Sequence, residues 1–172
     1  NGYFVARRTE RNAAVPPNTL YRGTASIVLL TPDGEIATSI DDLPGFDVVS
    51  STRDDGRARG VRMSRMPVFA VHPDRIYYGG QDEQGVVEFN STLDEIGMIS
   101  TITRPEPLTD EDREADQQMW IARSQWAYDG GGGAVGNHYG SVMPAFGDLV
   151  AGRDGRVWVE DPDRPWVHPL TW

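Results

Sequence analysis

Residues 66–102 read MPVFAVHPDRIYYGGQDEQGVVEFNSTLDEIGMISTI. Val68–Val71 is a short apolar run, and His72, Pro73 and Asp74 supply turn chemistry after it. Arg75–Gly79 carries Ile76, Tyr77 and Tyr78, all strong strand formers. Gln81–Gly85 is a polar loop, and Val86–Asn90 and Glu95–Ile102 face each other across Ser91–Asp94. The stretch predicts four short antiparallel strands in chain order.

The same unit recurs on either side. Residues 146–161, FGDLVAGRDGRVWVED, repeat its first two strands, with Arg153, Asp154 and Gly155 as the turn. Residues 2–8, GYFVARR, match its tyrosine-rich second strand, and residues 26–40, SIVLLTPDGEIATSI, match the hairpin that follows. In that hairpin Pro32, Asp33 and Gly34 are turn residues: proline presets φ, and glycine accepts φ > 0. A repeated four-stranded unit that cannot bury its own faces implies stacked neighbours, as in the blades of a β-propeller. The expected fold class is therefore all-β, a partial propeller in one domain. Its parts are a blade part at 1–45, a connection at 46–66, a blade at 67–102, a helical insertion at 103–143 and a blade part at 144–172. The connection contains a short apolar strand, Phe46–Val49. The first unit lacks its opening strand and the third would begin its third strand near Trp172, so both termini are expected to fall inside a blade.

Residues 109–128 predict one amphipathic helix inserted between blades. Thr109 caps it, and Asp110, Glu111 and Asp112 suit its positive N-terminal end. Ala115, Met119, Ala122 and Trp126 recur at helical spacing as an apolar stripe. Gly130–Gly133 stops it, and the helix is expected to lie on the rim or face of the propeller.

Composition restricts the function. The chain of 172 residues is long enough for a real core, and nineteen glycines with twelve prolines suit a turn-rich β protein. A net charge of −10 argues against nucleic acid and anionic lipid as partners. All sixteen basic residues are arginine, which a GC-rich coding sequence explains better than a dedicated anion site. With no cysteine, disulfides and thiolate metal sites are excluded. No run of about 18 apolar residues exists to insert into a membrane, and the opening residues show no charged start followed by an apolar stretch.

The stretches 28–36, 75–96, 105–115 and 144–161 together resemble the bacterial six-bladed β-propeller proteins of the broad NHL/TolB-like group. The likeness covers most of the chain apart from 8–24 and 46–66. It implies a segment of about two and a half blades whose remaining blades complete the ring. It also implies a periplasmic or extracellular setting.

Candidate chemistry is sparse. Gly131–Gly136 fits GxGxxG, yet a helix precedes it and no helix pattern follows, so it reads as a loop and not as a nucleotide site. Of the three histidines, His72 and His168 each stand before a proline as turn residues. His138, beside Tyr139, is the one placed to face a ligand. No His pair has zinc spacing, no GxSxG elbow occurs, and Asn90-Ser91-Thr92 reads as a hairpin turn. Tyr77, Tyr78 and Trp158 are expected to fill space between blades. The resemblance places Arg7, Gly80 and Glu160 at channel-facing strand ends.

The expected function is a non-catalytic binding or scaffold module presenting inter-strand loops to an unknown ligand or protein. Arg7, Glu160, His138 and Tyr139 are the candidate ligand-binding residues, and no cofactor or catalytic residue is expected. The alternative is a metal-dependent, gluconolactonase-like hydrolase with calcium near Glu160. An RNA-binding propeller is disfavoured by the negative charge.

Overall fold

The computed structural model describes residues 4–10, 15–50, 58–81, 85–100, 106–127 and 138–160. They form antiparallel sheets and one helix, so the all-β reading holds at that level. The first sheet contains β1 (Phe4–Glu10), β2 (Leu20–Leu30), β3 (Ile36–Ser50) and β4 (Ala58–Gly60), in that order. The second contains β5 (Val68–His72), β6 (Arg75–Gly79), β7 (Val86–Asn90) and β8 (Glu95–Ile99), again in chain order. The third is a hairpin of β9 (Leu149–Ala151) and β10 (Val157–Val159). Helix α1 spans Asp110–Ala127.

Local chemistry explains the turns. Between β2 and β3 the Thr31 and Glu35 backbones pair at 2.8 Å, and Gly34 takes φ 84°, a region other residues enter at a cost. At the β7–β8 tip, Asn90 Oδ1 accepts from the Thr92 and Asp94 backbone N–H groups, both at 2.9 Å. The Asn90 amide thus builds the turn that its sequence suggested. Leu93, at φ 67°, folds back from this turn into the core.

Each face of the second sheet carries a packed apolar cluster. Ile76, Tyr78, Phe89 and Leu93 pack against Ala25, Ile27 and Leu29 of β2. On the opposite face Ala70, Tyr77 and Val86 pack against Ala145, Phe146 and Leu149. Strand alternation sends Tyr78 one way and Tyr77 the other, and they are 1% and 2% exposed. Gly79 lets the Phe146 ring lie against β6: a Cβ there would stand 2.5 Å from the ring carbons. Burying one such apolar side chain is worth about 1.5–3 kcal/mol, so the two clusters fix the order of the sheets.

Several expectations need correcting. Phe46–Val49 is not a separate short strand but part of β3, which runs for 15 residues. Register shifts beside Arg22, Ala25 and Leu29 let so long a strand stay paired with β2. The connection also contributes β4, an extra strand paired with Val48, Val49 and Ser50 at the end of β3. Trp158 does not fill space between sheets: it is 59% exposed. The first half of the helical stripe is also uncovered, with Ala115 exposed and Met119 50% exposed.

Polar contacts hold the first half of helix α1. The Arg62 guanidinium pairs with Asp116 at 2.7 Å and donates to the Asp116 carbonyl at 3.1 Å. The Tyr139 hydroxyl donates to the Arg113 carbonyl at 3.2 Å. At the N-terminus, Asp112 accepts from the Thr109 backbone N–H at 2.9 Å, while its own N–H donates to the Thr109 hydroxyl at 3.2 Å. This reciprocal cap needs no packing partner.

Candidate functional site

Among the described residues, β9 and β10 cover only part of the second sheet's face. A cleft of about 400 Å³ lies there, walled by Tyr77 and Glu88 of the second sheet and by Arg156 and Trp158 of the hairpin. Arg75 and Ile99 complete one side, and Gly155 and Val157 the other. The Tyr77 hydroxyl donates to the Gly155 carbonyl at 3.2 Å, which fixes the hairpin tip over the sheet.

The charges in the cleft differ in their commitments. Arg75 donates to the Glu88 carboxylate, which raises the Arg75 pKa further above its already high ordinary value. Arg156 lies 3.5 Å from the Asp154 carboxylate, beyond good hydrogen-bond length, and its side chain is 77% exposed. The two arginines occupy matching places in RIYYG (75–79) and RVWVE (156–160), as do Tyr77 and Trp158. This recurrence was the signal by which sequence reasoning could have found the cleft; read strand by strand, it is hidden.

At another junction a buried polar clamp joins all three sheets. Gln81, at φ 59° and 5% exposed, accepts from the Met66 backbone N–H at 2.7 Å and donates to the Gly147 carbonyl at 2.8 Å. Arg22 of β2 donates to the neighbouring Gly80 carbonyl. Beside it, Arg65 makes a two-pronged ion pair with buried Asp47, both contacts at 3.0 Å. These groups satisfy one another, as buried polar atoms must.

The residues singled out from sequence have the following places among the described residues. Arg7 lies on β1 opposite Ile27, with its side chain outside the described residues. Glu160 closes the base of the third hairpin: its carboxylate accepts from the Asp148 N–H at 2.9 Å and its carbonyl from the Gly147 N–H at 2.8 Å. The His138 carbonyl accepts from the Arg62 N–H at 2.9 Å. The Tyr139 ring lies 5.7 Å beneath the Arg62 guanidinium, a cation–π contact. His138 and Tyr139 therefore belong to the seat of helix α1. Gly131–Gly136 and His168 lie outside the described residues.

Among the described residues no group of three or more His, Asp or Glu is placed to hold a metal ion. One oxygen of the Glu160 carboxylate accepts the Asp148 backbone N–H. No described helix is long and apolar enough to cross a membrane. No protein-family model, curated protein or solved structure matches the chain.

Proposed function

We propose that the protein is a non-catalytic binding module assembled from propeller-type blades, with ligand contacts made where adjacent sheets meet. The observation behind this reading is the second sheet, a four-stranded meander in chain order covered by a neighbouring sheet on each face. Serial stacking of this kind is how blades bury their faces. A two-layer sandwich would leave one face of each sheet to solvent. Under this reading further blades would cover the outer sheets, and the setting would be periplasmic or extracellular.

The competing reading, a calcium-dependent lactonase, makes different demands. It needs calcium to raise the melting temperature and Glu160→Gln to abolish lactone turnover. For the binding module, calcium leaves the melting temperature of the 172-residue chain unchanged and no lactone is turned over. Lactone turnover that disappears in Glu160→Gln would overturn the module and establish the hydrolase.

A further inference from the structure

We propose that Asn90, at the tip of the β7–β8 hairpin, is the acceptor for an N-linked glycan, its side-chain nitrogen taking the sugar from a lipid-linked oligosaccharide pyrophosphate. Such transfer rests on the exported setting proposed above, where acceptor loops of this kind are found.

The pattern is local. Asn90-Ser91-Thr92 is an asparagine, a residue other than proline and a hydroxyl residue, and no other asparagine of the chain begins such a triplet. A pattern so short also arises by chance, so its place in the fold decides. Asn90 is the last residue of β7 and is half-buried, while Ser91, Thr92 and Asp94 are exposed. None of these four belongs to an apolar cluster; the turn sends only Leu93 into the core. A glycan on Asn90 therefore displaces no core contact.

The side chain is also held in a form suited to transfer. Asn90 Oδ1 accepts from the backbone N–H groups of Thr92 and Asp94, both at 2.9 Å, and the Thr92 hydroxyl lies 2.7 Å from it. That hydroxyl is also 2.8 Å from Asp94 Oδ2, and its single proton goes to one or the other. An amide nitrogen is a poor nucleophile because its lone pair is shared with the carbonyl. Donors fixed at the oxygen stabilise the charge that gathers there as the N–H proton leaves. Nδ2 has two hydrogens and gives one to Asp94 Oδ2 at 3.0 Å, so replacing one by a sugar leaves the other for this bond. In the transfer Nδ2 bonds the anomeric carbon and the bond from that carbon to the pyrophosphate oxygen breaks. The pyrophosphate leaves with the electron pair, and the displaced amide proton passes to water.

Translation of the 172-residue chain into microsomes, behind a cleavable secretory leader, tests this, with protease protection marking the chains that reach the lumen. Protected chains should gain a single glycan, which peptide-N-glycosidase removes, leaving aspartate at position 90. Thr92→Ser should keep the glycan and Asn90→Gln should lose it. Ser91→Pro separates recognition from folding. The Leu93 N–H donates to the Asn90 carbonyl at 3.1 Å, so Ser91 is the second residue of a turn, a place that favours proline. This variant should keep the parent's melting temperature and lose the glycan, because proline there breaks the recognised pattern. Protected parent chains without a glycan on Asn90, or a glycan that survives Ser91→Pro, would each overturn the proposal. Fractionation of native cells that finds the chain in the cytosol would overturn the exported setting, and with it the modification of the native protein, while acceptor competence in microsomes stood as measured.

Discussion

Strands β6 and β10 carry nearly the same sequence pattern and end in opposite environments. In β6, Arg75-Ile76-Tyr77-Tyr78-Gly79 is buried from Ile76 onward, because a sheet lies against each face. In β10, Val157 is half-buried while Trp158 and Val159 are exposed. Alternation within a strand decides which face a side chain takes. Whether that face is dry depends on how many neighbours the strand has acquired. The same pattern thus yields packing in one place and an accessible aromatic in the other.

The largest way to break this contrast is to strip one cover from β6. Phe146→Ala removes the ring that lies against Gly79 and should cost about 4 kcal/mol, the range seen when a buried aromatic is truncated. Urea unfolding of the variant measures it. A loss below about 1 kcal/mol would mean that the hairpin does not hold the second face of β6 in solution.

A smaller effect separates the stacked sheets from helix α1, which is capped and held by polar groups. Thr109→Ala should cost about 1 kcal/mol through loss of the cap. The cap is also sensitive to acid. The Thr109 hydroxyl, and then its backbone N–H, holds the Asp112 carboxyl below the usual aspartate range. A depressed carboxyl stabilises the folded form above the ordinary aspartate pKa, and that contribution disappears as pH falls through the folded value. Helical circular dichroism should therefore decline on acidification before strand signal does. Asp112→Asn should flatten that early decline.

The smallest effect belongs to β10. Trp158→Ala should change stability by no more than about 0.5 kcal/mol, as for an exposed site away from the core. Compared with Phe146→Ala, this gives the ratio that β6 and β10 predict. A large loss in Trp158→Ala would show that the indole is covered in solution.

Much of the fold was written locally. The strand limits of residues 68–99 follow from β-branched and aromatic runs punctuated by Pro73-Asp74, Gly85 and Ser91-Thr92. The helix limits follow from Thr109 and three acidic residues. Less could be read in the first sheet. Pro44 and Gly45 look like a stop, yet β3 runs through them, because Gly45 lies so close to the Gly23 backbone that a Cβ would approach within 2.6 Å. The candidate site was still less visible. Glu160 and Tyr139 looked available as isolated residues, and the side chain of each bonds a backbone group elsewhere in the chain, while His138 is tied to Arg62 through its own carbonyl.

Sequence by itself therefore determined the strands, the turns, the capped helix and the negative overall field, since these depend on local dihedral preference and on summed charge. Tertiary structure alone decided that Tyr77 is core and Trp158 surface, that Arg62 contacts the helix at Asp116, and that Arg156 lines a cleft. The physical reason is that burial and pairing depend on neighbours dozens of residues away, and no local pattern records which of them arrives.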